Sequence, residues 1–332
     1  MRRKLGLAVV AMGAVLAATL SGCASTGTGT DNASGTPTFT IATNAWIGYG
    51  PWYIAMDQGF DTEEGVALDL VNIEDPSAFR AAALSGDVDG ANFATSDWLK
   101  NYNKLDMPVV LLQDVSTGAD ALVATAGITS LADLKGKRVA YQTGEFNEIM
   151  VDTALKQSGL TLDDVTQVEI PVEQSAAALI SGRADAAVMY EPHISAALAA
   201  DPTLTSIYTA GENPGIIGDV LAVNSHFLKE NPATVTAVIK AWDRGVAYLA
   251  ANPDKGRQIV ADALGTPLED LTAAFDGVSY YTAADNVEQF ADAFPNVTAP
   301  MIIDALKATG QIKSEPDLSK AIDTSFAQSA IK

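Results

Sequence analysis

Ala82-Ala83-Leu84-Ser85-Gly86-Asp87-Val88-Asp89 and Ala178-Leu179-Ile180-Ser181-Gly182-Arg183-Ala184-Asp185 read as one passage written twice, at a spacing of 96 residues. In each copy an Ala-rich helical run stops at Ser-Gly and a strand-like segment follows. The echo extends outward: Val71-Asn72-Ile73 answers Val168-Glu169-Ile170 at a spacing of 97, and Gly59 answers Gly159 at 100. A period near 97 is too long for a solenoid repeat, so the sequence predicts two similar lobes.

Strand and helix patterns alternate around both copies. In the first lobe strands are expected at Phe39–Thr43, Ala67–Ile73 and Gly90–Ala94, with helices at Pro51–Gln58, Pro76–Leu84 and Asp97–Lys104. Asp75 supplies a side-chain cap and Pro76 the first helical position. Strands at Val109–Gln113 and Ala121–Thr125 lead to the second lobe. There strands are expected at Arg138–Tyr141, Thr166–Ile170 and Ala184–Met189, with helices at Glu145–Gln157 and Glu173–Ile180. From about Ala222 the chain turns helical, over Pro232–Ala250, Pro253–Ala263, Asp285–Ala293 and Ala299–Ala308. Val220–Val223 reads as a strand returning to the first lobe, so the helices after it should pack there. The expected class is α/β and bilobal, with two similar, mainly parallel sheets covered by helices and crossings near Gly118–Thr125 and Gly218–Asn224. The expected division is 37–120 for lobe one, 121–220 for lobe two, and 221–332 for the return to lobe one with the C-terminal helices.

The 332 residues hold 20 Lys and Arg against 41 Asp and Glu, a net charge of -21. That balance excludes a phosphate-binding footprint and so argues against nucleic acid. One Cys excludes a disulfide framework or a Cys-rich metal site, and two His, His193 and His226, leave little material for metal or triad chemistry. Met1-Arg2-Arg3-Lys4 followed by an uncharged apolar run from Leu5 to Leu20 has the form of a secretory leader, too short to span a membrane. Leu20-Ser21-Gly22-Cys23 resembles the bacterial lipobox, in which the Cys becomes the lipidated first residue. The leader is then 1–22, and 23–36, rich in Ser, Thr and Gly, a flexible tether. Two acyl chains on Cys23 suffice for stable anchoring.

In open α/β sheets ligands bind beyond the carboxyl ends of strands. This nominates Asn44–Trp52 and Thr95–Trp98 in the first lobe, and Gln142–Asn147 and Tyr190–Pro192 in the second. Candidate residues in the first pair are Trp46 and Tyr49 as an aromatic wall, Gly50 for close backbone approach, and Ser96 and Asp97 at a helix start. The second pair contributes Thr143, Glu145, Phe146, Tyr190 and Glu191, and Thr117 and Asp219 stand near the crossings. Gly48-x-Gly50 lacks the third Gly of a dinucleotide fingerprint. Glu145, with Asp97, Glu191 or Asp219, predicts an acidic cleft suited to an ammonium, amidinium or guanidinium group. The plainer reading of Glu145 is a residue that complements a helix dipole.

Five passages carry a family resemblance: Trp46-Ile47-Gly48-Tyr49-Gly50-Pro51, Ala81–Asp89, Leu131-Ala132-Asp133-Leu134-Lys135-Gly136-Lys137-Arg138-Val139, Gln142-Thr143-Gly144 and Ala187-Val188-Met189-Tyr190-Glu191-Pro192. In order and spacing, over residues 39 to about 250, the chain resembles the nitrate/taurine/aliphatic-sulfonate (NitT/TauT) substrate-binding proteins of ABC importers. The resemblance implies a type II periplasmic-binding-protein fold that closes on a small solute. It implies as partners an ABC permease with its ATPase, and a monomeric receptor on the extracytoplasmic face of a bacterial membrane. Sulfonate-binding members often carry a small hydroxyl residue after Gly144, where this chain has Glu145; a zwitterion such as taurine still suits an acidic site. A sensor lipoprotein without transport is one alternative, and a pyrimidine-synthesis-like enzyme on the same fold another. With no Gly-x-Ser-x-Gly, His-Glu-x-x-His or P-loop pattern, the expectation is a protein without catalysis, cofactor or metal.

Overall fold

A computed structural model describes residues 35–272 and 274–332. The leader, Cys23 and the tether up to Ser34 lie outside the described residues. Eleven strands are found among the described residues, in two sheets. They are β1 Thr38–Thr43, β2 Ala67–Asn72, β3 Gly90–Ala94, β4 Val109–Ser116, β5 Asp120–Ala124, β6 Arg138–Tyr141, β7 Thr166–Glu169, β8 Ala186–Tyr190, β9 Thr205–Thr209, β10 Gly218–Val223 and β11 Val278–Tyr280. The first sheet runs β11-β4-β10-β3-β1-β2 and the second β7-β6-β8-β5-β9.

Each sheet is built on a parallel trio, β2-β1-β3 in the first and β7-β6-β8 in the second. The repeated passage joins the last two sequential members of each trio, and the structure shows why its residues recur. Gly86 ends the Pro76–Ser85 helix with φ 76°, and Gly182 follows the Ser175–Ile180 helix with φ 68°. In this left-handed region a Cβ is penalised. The closing Asp of each copy clamps the first strand of its parallel trio. The Asp89 carboxylate accepts the Thr40 backbone N–H at 2.9 Å, and that of Asp185 accepts the Arg138 N–H at 2.8 Å. The repeat thus encodes a turn and a strand-end clamp.

The expectation of mainly parallel sheets is corrected. Beside each trio lies a strand that has crossed from the other sheet and runs against it, β10 against β3 and β5 against β8. β4 and β11 add further antiparallel pairs in the first sheet, and β9 adds one in the second. Both sheets are mixed. The chain leaves the first sheet after Ser116 and enters the second at Asp120; it returns between Thr209 and Gly218.

The C-terminal helices mostly cover the first sheet. The Pro232–Ala251 helix lies on the Gly50–Asp57 helix, with Trp52 and Trp242 fully buried and ring centroids 4.7 Å apart. Such a pair adds about 0.5–1.5 kcal/mol beyond the area that it buries. Trp242 also donates its indole N–H to the Tyr281 carbonyl at 2.9 Å. The Ala299–Ala308 helix touches both Thr95–Asn101 and Phe146–Gln157, one helix from each side of the crossing. Among the described residues no helix is long and apolar enough to cross a membrane.

Candidate functional site

A cavity of about 430 Å³ lies between the sheets and is lined from both. Its size is that of a small-molecule site. The lining follows the carboxyl ends of the parallel strands: Asn44, Trp46 and Tyr49 after β1, Glu74 and Asp75 after β2, Asp97 after β3, Gln142, Glu145 and Phe146 after β6, Glu173 after β7, and Tyr190 at the end of β8. β5 and β10 run the other way, so their amino ends face the same space and contribute Asp120 and Asp219.

Aromatic rings form a wall shared by the two sheets. Trp46, 5% exposed, meets Tyr190 edge-on with centroids 5.8 Å apart, and Phe146 lies 6.0 Å from Tyr190 on the other side. Behind Trp46 the contacts become polar. Its indole N–H donates to Asp114 Oδ2 at 3.3 Å, and the Tyr49 hydroxyl donates to Asp219 Oδ1 at 2.9 Å. Asn92 Nδ2 donates to Thr43 Oγ1 at 3.1 Å, and Gln113 Nε2 to Asn92 Oδ1 at 3.0 Å, which ties β3 to β1 and, across β10, to β4.

Two carboxylate groups differ in their surroundings. Half-buried Asp97 and Glu145 stand among cations: Arg80 Nη1 lies 3.3 Å from Asp97 and 3.2 Å from Glu145, and Lys100 Nζ 2.9 Å from Asp97. Lys100 also donates to the Gly144 carbonyl. Since Arg80, Asp97 and Lys100 belong to first-sheet helices and Glu145 precedes the Phe146–Gln157 helix, this group ties the two sides of the cleft together. Burial raises the Glu145 carboxyl and Lys100 draws it back down. Asp114, Asp120 and Asp219 are buried together, with no ion pair to a cation among the described residues. Burial, then Asp219, holds Asp114 well above the usual carboxylate range, burial pushes Asp120 up to about 8, and Asp219 lies at about 6.

Of the residues nominated from sequence, Trp46, Tyr49, Asp97, Glu145, Phe146, Tyr190 and Asp219 line the cavity. Five do not, each for a packing reason. Gly50 faces the C-terminal helices, where a Cβ would meet Val260 Cγ2 at 2.9 Å. Ser96 is buried in the first turn of its helix. Thr117 sits in the crossing and gives its backbone N–H to the Gly277 carbonyl at 2.8 Å. Thr143 bonds outward, its hydroxyl to Glu169 Oε2 at 2.6 Å. Glu191 accepts the backbone N–H and the hydroxyl of Ser195, both at 3.0 Å, and so fixes the start of the His193–Ala200 helix. The lining residues missed from sequence include Glu74, Arg80, Asp120 and Glu173. Glu74 and Glu173 follow the second strands of their trios, and the carboxyl-end rule applied to every strand finds them. His193 packs edge-on against Tyr190 at 5.2 Å and stays outside the lining; His226 is exposed beside Glu230.

The sequence profile described as NMT1/THI5 like matches residues 46–256. The chain is 30% identical over 253 residues to a 4-amino-5-hydroxymethyl-2-methylpyrimidine phosphate synthase of Aspergillus parasiticus, covering 70% of this chain and 72% of that one. In structure it is similar to the periplasmic aliphatic sulphonate binding protein SsuA of Escherichia coli, with a TM-score of 0.70 at 17% identity, over 86% of this chain and 91% of that one. It is similar to the desulfurization enzyme DSZB as well, with a TM-score of 0.68 at 14% identity, over 89% and 98%. The two structures show the fold, that of the periplasmic binding proteins. The expectation of a protein without catalysis is corrected by the synthase and by DSZB: the relatives and the fold both include enzymes.

Proposed function

The chain belongs to the NMT1/THI5-like family, and from that premise we propose that it is an extracytoplasmic solute receptor, tethered through lipidated Cys23, that hands its ligand to an ABC importer. The ligand class we infer is a small organic solute bearing an amine or other cationic nitrogen group, zwitterions included. The observation that carries this reading is the lining of the cavity between the sheets. It combines the aromatic faces of Trp46, Phe146 and Tyr190 with seven acidic side chains, Glu74, Asp75, Asp97, Asp120, Glu145, Glu173 and Asp219, against Arg80 alone. Aromatic faces and carboxylates attract organic cations; a bare anion meets like charge. Arg80, already shared by Asp97 and Glu145, is the one cationic group of the lining among the described residues and would take the acidic end of a zwitterion. Export and anchoring are supported by the basic-apolar leader and by Leu20-Ser21-Gly22-Cys23. Hinge closure about the two crossings would enclose the solute.

Calorimetric titration against taurine, an alkanesulfonate, nitrate, guanidine, a quaternary ammonium and an aminopyrimidine tests the reading. The aminopyrimidine is included because the synthase relative is named for one. Heat from an amine, cation or zwitterion, weakened about 10- to 100-fold by Trp46→Ala, is the expected result; tenfold corresponds to about 1.4 kcal/mol. Binding of nitrate or the plain alkanesulfonate alone overturns the ligand class. A ligand recovered chemically altered after release overturns the receptor reading in favour of an enzyme.

A further inference from the structure

Asp114 on β4, Asp120 at the start of β5 and Asp219 on β10 meet where the chain passes between the sheets, and they are 2%, 2% and 7% exposed. Their partners are few. Trp46 donates to Asp114 Oδ2, the Tyr49 hydroxyl donates to Asp219 Oδ1, and Ser116 acts on Asp120. Asp114 and Asp219 face each other across the β4–β10 pairing, and two carboxyls buried this close favour keeping a proton between them. Asp120 lines the cavity, yet its Oδ2 has no partner, and neither has Asp114 Oδ1. A buried carboxyl oxygen left without a donor costs free energy, and here one belongs to a residue facing a ligand-sized space.

Among the described residues no ion pair to a Lys, Arg or His relieves the group. The titratable side chains acting on it from neighbouring elements are Tyr49 before the Gly50–Asp57 helix, Tyr190 and Glu191 at the end of β8, and Tyr280 and Tyr281 at and after β11. Arg257 acts only as far as Tyr280 and is itself paired with Asp276 at 2.9 Å.

We propose that Asp120 and Asp219, backed by Asp114, form the subsite that receives a protonated nitrogen group of the solute, and that its arrival expels a proton held by these carboxyls in the free protein. The inference rests on the receptor reading for the existence of an organic ligand, and adds where its charge sits and what leaves. The O–H bond of the Asp120 carboxyl breaks, its proton passes to buffer, and the carboxylate pairs with the ligand cation; no covalent bond to the ligand forms. With Asp120 near 8, the free protein carries this proton at pH 7. A cation restores the ionised form by supplying the charge that the fold withholds.

Benzamidine, a permanently charged aromatic amidinium, serves as the probe, with benzamide as its neutral counterpart and benzenesulfonate as the anion. Titration of the intact protein at pH 7 in two buffers of different ionisation enthalpy counts the protons. The expected result is release of about one proton per benzamidine, with affinity rising about tenfold from pH 6 to pH 7 and levelling above pH 8. Benzamide binds at least tenfold more weakly. Asp120→Asn abolishes the proton release and the pH slope and weakens benzamidine at least tenfold without weakening benzamide. A thermal midpoint no lower than that of the unaltered protein shows that this variant folds. Benzamidine binding without proton release, or unchanged by Asp120→Asn, overturns the subsite and leaves the amine-binding receptor standing. Benzenesulfonate binding with no benzamidine binding at millimolar concentration overturns the subsite and the proposed ligand class together.

Discussion

On one side of the cleft Asp97 and Glu145 stand between Arg80 and Lys100, whereas Asp114, Asp120 and Asp219 stand among tyrosines and a tryptophan, with no cation paired to them among the described residues. The first group lies on helices and a loop, where long Arg and Lys side chains reach across from one sheet to the other. The second lies on strands at the crossings, where Trp46 and Tyr49 donate hydrogen bonds to Asp114 and Asp219. Carboxylates paired with cations hold a structure together; buried carboxyls without one hold protons or await a charge from outside. The comparison therefore separates a group that joins the lobes from a group open to a ligand, though both add to the same acidic count.

The largest effect expected from breaking this contrast is a gain in stability. In the folded chain Asp120 titrates near 8, while an unfolded Asp titrates near 3.9. Between pH 4 and pH 8 the folded state therefore binds more protons than the unfolded state, and stability falls as pH rises through that window. Below pH 4 both states are protonated and the penalty is absent. Asp120→Asn removes the titration, so the ligand-free variant should exceed the parent at pH 8 by about 2–4 kcal/mol, a Tm rise of roughly 5–10 °C. The difference should vanish near pH 4. Thermal unfolding at the two pH values checks this, and a gain of equal size at both would assign it to packing instead of charge.

A smaller effect of opposite sign comes from the backbone that supports the second group. A Cβ on Gly48 would lie 2.1 Å from Trp46 Nε1 and 2.2 Å from Asp114 Oδ2. Gly48→Ala must separate the indole from the carboxyl or displace the turn, at a cost of about 1–3 kcal/mol. It should weaken ligand binding as well, since Trp46 is both wall and hydrogen-bond donor. Glu145 and Arg80 are remote from this clash. A lowered Tm with unchanged binding in calorimetry would show that the second group tolerates movement and does not hold the ligand.

How much of this was legible in the sequence depends on what the chemistry records. The repeated Ser-Gly and Asp are legible because a left-handed turn and a strand-end acceptor demand particular side chains, and Gly86, Gly182, Asp89 and Asp185 meet those demands twice. The helices Pro232–Ala251 and Ala299–Ala308 emerge within a residue of their expected bounds because their starts carry Pro. Strand direction leaves no such mark. β5 is buried throughout and β10 nearly so, and a buried run reads the same in either direction. The direction of the crossing strands was therefore invisible, though the strands themselves were expected, and with it the placement of Asp120 at the cavity. Arg80 is hidden for another reason: nothing in the spacing of residues 80 and 145 shows that a helix in one lobe reaches a loop in the other.

The group bridging the lobes gives the smallest effect, and it tests the other half of the contrast. Glu145→Gln keeps the size of the side chain but removes its pairing with Arg80 at 3.2 Å and Lys100 at 4.0 Å, leaving Arg80 to Asp97. The side chains are 16–22% exposed, so solvent screens part of the interaction, and about 1 kcal/mol is expected. Because Glu145 alone of the four belongs to the second lobe, the loss should fall on closure more than on either lobe's folding. X-ray scattering of the ligand-free variant should show a larger radius of gyration with little change in Tm, and 0.5 M NaCl should move the unaltered protein part of the way, as expected for partly exposed pairs. Arg80→Gln should do the same, and the double variant should add little to either, since both remove one contact. If Glu145→Gln instead weakened benzamidine as strongly as Asp120→Asn does, both carboxylate groups would be reading the ligand, and the division of labour drawn between them would fail.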